Sequence, residues 1–178
     1  MSAQRLRNAF AKRRALVTYV MGGDGGVETS TQNIVACAQA GADVVEIGFP
    51  FSDPIADGPV IQAAARRSID AHTTLETVFE IARRARLEVA TPFVLMGYLN
   101  PILAFGIEPF MTACAQNGVD GVIVPDLPPE EAVEWCAAAR RHDVGTVFLL
   151  APTSTPEREA AVISASTGFV YFVSVTGV

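Results

Sequence analysis

Lysine is nearly absent: Lys12 is the only one among 178 residues, and it sits in the basic N-terminal stretch with Arg5, Arg7, Arg13 and Arg14. A Schiff-base mechanism on a strand-borne lysine therefore has no candidate. Histidine is scarce as well. His72 and His142 fall on expected helix ends, and no HxH or HExxH spacing exists, which argues against a zinc-assisted reaction and a Ser/His/Asp triad. The three cysteines, Cys37, Cys114 and Cys136, are odd in number, lack CxxC spacing and lie in segments read as helical. They fit reduced core thiols better than disulfides or a metal site. Charge is sparse and acidic, with 13 basic residues against 19 acidic ones, so the basic patch that nucleic acid requires is missing. With 18% charged and 50% hydrophobic residues the chain is not disordered and is expected to bury a sizeable core.

Long apolar spans are missing too. The charge-free runs 89–107 and 160–178 are 19 residues each. The first is broken by Pro92, Gly97, Asn100 and Pro101 and the second is rich in Ser and Thr, so both read as buried strands with flanking turns, not membrane spans. The N-terminal basic stretch leads into only the short apolar run Ala15 to Met21 without a small-residue cleavage site, an arrangement that predicts no secretory leader and a cytoplasmic setting. Gly22-Gly23-Asp24-Gly25-Gly26 lacks both the GxGxxG and GxxxxGK[ST] patterns. It reads as a tight βα turn, with Asp24 as a capping or loop-contact residue.

What is present is a series of continuous apolar runs: Ala15 to Met21, Ala42 to Phe51, Thr91 to Tyr98, Val119 to Leu127, Val144 to Leu150 and Gly168 to Val175. Runs without alternation are the pattern of strands buried on both faces. The segments between them read as helices. After Pro128 and Pro129, Val133, Cys136 and Ala137 fall on one face, with Glu130 and Glu131 in the first turn and Arg140 and Arg141 in the last, matching the helix dipole. Ser154 and Glu157 have capping-box spacing. The gap before the third run has room for an extra helical turn within Pro59 to Asp70, ahead of a helix near Leu75 to Arg86.

The last four runs begin at 91, 119, 144 and 168, intervals of 28, 25 and 24 residues. Spacing this regular points to a parallel α/β barrel of the TIM (β/α)8 kind more than to a doubly wound sheet. Such a barrel takes eight units and about 250 residues. The reading is therefore of a single barrel domain over 1–178 with only about the first six βα units, C-terminally truncated or incomplete, and the phosphate site usual after strands seven and eight lies beyond Val178.

Barrel active sites lie at the C-terminal ends of the strands, where few polar groups occur in this chain. Glu46 sits among Val44, Val45, Ile47 and Phe49, so its carboxylate is paired, exposed at the strand end, or desolvated. Desolvation would lift its pKa toward neutrality, as a general acid/base requires, whereas an arginine from a covering helix would make it a structural ion pair. Asp57, in Ser52-Asp53-Pro54-Ile55-Ala56-Asp57-Gly58-Pro59, is either a second functional carboxylate or a cap on the next helix. Asp126 is either a site residue or one that opens a helix. Tyr19, Phe49, Tyr98 and Tyr171 suit an aromatic ligand or plain core.

The run Gly41 to Gln62, containing Glu46-Ile47-Gly48-Phe49-Pro50-Phe51-Ser52-Asp53-Pro54 and Asp57-Gly58-Pro59, closely resembles a signature of the tryptophan synthase α subunit family. Leu95-Met96 through Asn100-Pro101, Val124 to Pro128, and Tyr171 through Ser174 to Thr176-Gly177 match it in the same order. The resemblance implies a barrel lyase that cleaves indole-3-glycerol phosphate to indole and glyceraldehyde 3-phosphate in tryptophan biosynthesis. It implies Glu46 as the general acid/base and Asp57 as the second catalytic carboxylate, with Tyr19, Leu95 and Tyr171 lining the indole pocket. Asp53, Asn100 and Pro128 would face a β subunit in an αββα heterotetramer. No cofactor is implied in this subunit, PLP being expected in the β partner, and no metal. Phe49 stands where the family usually has a smaller aliphatic residue, and Gly25 replaces a common proline, which predicts a looser first loop. The alternatives are a non-catalytic barrel subunit that binds and activates a β subunit, and another phosphosugar-binding barrel isomerase.

Overall fold

The computed structural model describes residues 2–11 and 14–174; Lys12, Arg13, Thr176 and Gly177 lie outside them. Among the described residues the order is α1 (Ser2–Phe10), β1 (Val17–Met21), α2 (Gly26–Gln39), β2 (Val44–Gly48), α3 (Pro59–Asp70), α4 (Leu75–Arg86), β3 (Phe93–Met96), α5 (Leu99–Phe105), α6 (Ile107–Gln116), β4 (Gly121–Ile123), a short 3-10 turn (Pro129–Glu131), α7 (Val133–Arg141), β5 (Gly145–Leu150), α8 (Pro156–Ala165) and β6 (Val170–Phe172). The six strands form one parallel sheet in sequence order, the arc of a (β/α) barrel anticipated from the apolar runs. No described helix is long and apolar enough to cross a membrane.

Register decides which side chains share a face, because laterally paired residues of parallel strands point the same way. Tyr19 pairs with Glu46, Glu46 with Val94, Val94 with Gly121, and Gly121 with Gly145. This row faces the barrel interior, where Leu6, Val44, Val94, Ile123 and Val147 form an apolar cluster bordered by Met96 and Tyr171. The other face carries Val45, Ile47, Phe93, Leu95 and Val122 into the larger core beneath the helices, among Val78, Phe79, Ile81, Phe110 and Trp135.

The N-terminal end of the barrel is closed by α1. Leu6 is fully buried, and side chains added at Gly121, Gly145 or Gly168 would come within 2.8–3.2 Å of its Cδ2. Glycine at the start of β4, at the start of β5 and just before β6 thus makes the hole that Leu6 fills, and its burial contributes about 2 kcal/mol. Beside it, the buried Asp120 accepts from Arg5 Nε at 2.8 Å, Arg86 Nη2 at 2.8 Å and the Phe93 N–H at 2.9 Å. Arg86 also donates to the carbonyls of Gly118, Val89 and Thr91 and lies 4.0 Å from the centre of the Phe93 ring. Every charge taken out of water here is met by a partner, as burial requires.

Several local expectations change. The segment 59–70 is a full helix, not one extra turn, and two helices separate β3 from β4. The run 89–107 is β3 followed by α5, with Pro101 tolerated in the first turn, where the missing N–H has no intrahelical partner. The cap of α8 is Thr155, which accepts the Arg158 N–H, whereas Ser154 Oγ serves the Ala151 N–H. The 3-10 turn at Pro129–Glu131 delays the start of α7, so Glu130 and Glu131 precede it. Its buried residues are Trp135, Cys136, Ala138 and Ala139, and Val133 is 78% exposed. The cysteines are free and lie in α2, α6 and α7.

Candidate active site

Glu46 lies on the inner face of β2, 6% exposed, with no described cation paired to it. Burial alone pushes its carboxyl up from 4.5 to about 7. Of the three environments open to it, desolvation is the one realised, and the ion pair with a covering arginine belongs instead to Asp120.

Asp57 stands on the loop after β2, half-buried, and burial raises its carboxyl while a hydrogen bond from Tyr98 partly offsets that rise. It does not cap α3, whose cap, Gly58, makes no side-chain bond. The loop is held from the β3 side: the Ala56 N–H donates to Tyr98 Oη at 2.9 Å, and the Tyr98 ring lies 5.4 Å from that of Phe51.

Tyr19, next to Glu46 on β1, has its phenol held protonated by burial and then by the negative charges of Asp57 and Glu46. Tyr171 on β6 is raised by burial and by the charge of Glu46. Tyr19, Glu46, Asp57 and Tyr171 therefore share one electrostatic environment, with Tyr98 added. Leu95 does not join them. It points into the core under the helices, whereas Met96 lines the crevice with Tyr19, Met21, Phe49, Asp57 and Tyr98. Asp53 and Asn100 are exposed and Pro128 half-buried on neighbouring loops. Asp126 opens a helix, though α5 and not the one that follows it, by accepting the Leu99 N–H at 2.9 Å.

The first loop is braced rather than loose. Gly25 has φ 81°, a value proline cannot adopt. Gly23 N–H donates to Ser30 Oγ, Ser68 Oγ donates to the Gly22 carbonyl, and Asp24 pairs with Arg67 at 2.6 Å, which holds its carboxyl below the usual range.

Roomier grooves lie beside β1 (about 490 Å³) and between α7 and α8 (about 340 Å³). Their carboxylates, Asp24 and Glu130, are already paired with Arg67 and Arg158. Among the described residues, the strand ends around Glu46 are where buried acidity meets converging tyrosines. Among the same residues no group of three His, Cys, Asp or Glu could hold a metal ion.

Six parallel strands in sequence order, with a buried carboxyl on the second and a half-buried one on the loop that follows it, define an α/β-barrel enzyme. The family described as tryptophan synthase alpha chain matches residues 6–178. The tryptophan synthase alpha chain of a Bacillus cereus strain is 48% identical over 179 residues, covering 100% of this chain and 69% of that protein. That of Geobacter sulfurreducens is also 48% identical, with 98% and 68% covered. A solved structure from Aquifex aeolicus VF5 is 42% identical with a TM-score of 0.92, over 97% of this chain and 70% of that one. The tryptophan synthase α2β2 complex of Pyrococcus furiosus contains a chain 39% identical with a TM-score of 0.87, over 92% and 65%. The chain belongs to the tryptophan synthase alpha chain family, whose members are lyases, and it spans about two thirds of the length of these relatives.

Proposed function

We propose that this chain cleaves indole-3-glycerol phosphate to indole and glyceraldehyde 3-phosphate by carboxylate acid/base chemistry. Glu46 carries the reading: a carboxyl buried without a cation and poised near 7 both gives and takes a proton at neutral pH. In its acid form it protonates the indole ring carbon that bears the side chain. As carboxylate it takes the proton of the side-chain hydroxyl. The carbon–carbon bond then breaks, its electron pair returns to the ring, and the hydroxyl carbon leaves as the aldehyde. Asp57 accepts a hydrogen bond from the indole N–H and stabilises the positive charge on the protonated ring.

Tyr19, Tyr171 and Met96, the last in place of Leu95, are assigned to the indole pocket. The Tyr19 ring lies across Gly48, where an added side chain would meet its hydroxyl. Asp53, Asn100 and Pro128 are assigned to a surface for a β subunit that holds PLP, this chain itself needing no cofactor, in a cytoplasmic αββα assembly. The α2β2 complex from Pyrococcus furiosus supports that partner. The test is indole release from indole-3-glycerol phosphate by the complete gene product, alone and with a β subunit. Turnover that rises with the partner supports the proposal; binding to the partner without turnover favours the scaffold reading.

A further inference from the structure

We propose that Tyr98 is a positioning residue for Asp57, its hydroxyl acting as the strut between the end of β3 and the loop that carries the carboxylate. The loop between β2 and α3 has no regular structure from 49 to 58, so its own backbone does not fix where Asp57 points. Tyr98 supplies the constraint from a distance of 42 residues in sequence: Oη accepts the Ala56 N–H at 2.9 Å, on the residue directly before Asp57, and the two side chains line the same crevice. Its ring is buried and packs against Phe51 from the same loop. One side chain thus grips the loop at two places: ring on ring, and backbone to hydroxyl. A hydroxyl that pins the backbone one residue before Asp57 limits where the carboxylate can swing, and a preorganised acceptor costs no reorganisation when the ring charge develops.

The inference rests on Asp57 being the acceptor of the indole N–H. Its test uses indole and benzofuran, which has the same shape without the N–H, as binding probes for the complete gene product. Wild type is expected to prefer indole, and Asp57→Ala to lose that preference. Tyr98→Phe keeps the ring and removes only the hydroxyl. It is expected to lower the indole-to-benzofuran affinity ratio by about tenfold, the scale of one hydrogen bond, while benzofuran binding stays near the wild-type value. A merely structural role would weaken both probes alike. A Tyr98→Phe protein that folds, by thermal unfolding followed through Trp135 fluorescence, yet keeps the wild-type ratio would overturn the role of Tyr98. An Asp57→Ala protein that keeps the ratio would overturn the assignment of Asp57 itself.

Discussion

Tyr19 and Glu46 are register partners on adjacent parallel strands, both facing the barrel interior, and neither has a described cation to compensate its burial. The phenol and the desolvated carboxyl sit side by side at the middle of the two strands, the arrangement on which the proposed acid/base chemistry rests.

Glu46 burdens the fold as the pH rises. Its folded-state carboxyl is raised from 4.5 to about 7, so the native chain prefers the protonated form. The associated stability is fully present below about 4.5 and is lost as the pH climbs through 7, a change of about 3 kcal/mol. Glu46→Gln has no such titration. Denaturant unfolding followed by Trp135 fluorescence is expected to show the variant gaining on wild type by that amount between pH 4.5 and 8, and a constant difference would refute the buried-acid description.

The Asp120 network predicts a large loss. Replacing Asp120 by Ala strands the mostly buried Arg86 and frees Arg5, and with it α1, from its anchor beside β4. The expected destabilisation is about 3–5 kcal/mol, the usual result of breaking one side of a buried ion pair. By contrast, Arg67→Ala breaks an exposed pair with Asp24 and is expected to change unfolding by less than about 1 kcal/mol.

Phe49 and Gly97 form a size-matched pair. A Cβ at Gly97 would fall 2.4 Å from the Phe49 ring, too close for both to remain. Gly97→Ala is expected to cost about 1–3 kcal/mol in wild type and clearly less in a Phe49→Val background. Additive effects in the double-mutant cycle would show that the two positions adjust independently.

These cases also show what the amino-acid order discloses. A carboxylate inside an apolar run marked Glu46, and the same signal at Asp120, between Val119 and Gly121, would have marked the second buried acid. Its position at the opposite end of the strands separates structural pairing from chemistry. Leu95 and Met96 could not be told apart, since a run that is apolar on both faces carries no alternation to set which residue looks inward. The face of α7 shifted because a 3-10 turn after two prolines set where the helix begins. Asp57 was singled out through family resemblance, while Tyr98, which holds the neighbouring Ala56 N–H, was visible only as an aromatic residue, because a contact 42 residues long leaves no local periodicity.

The most direct measurement compares indole release from indole-3-glycerol phosphate by the complete gene product and by Glu46→Gln, both with the β subunit present. Loss of a positioned proton-transfer group predicts a fall in kcat of about 10²–10⁴-fold with KM nearly unchanged. Equal rates in the two proteins would contradict the assignment of acid/base chemistry to Glu46.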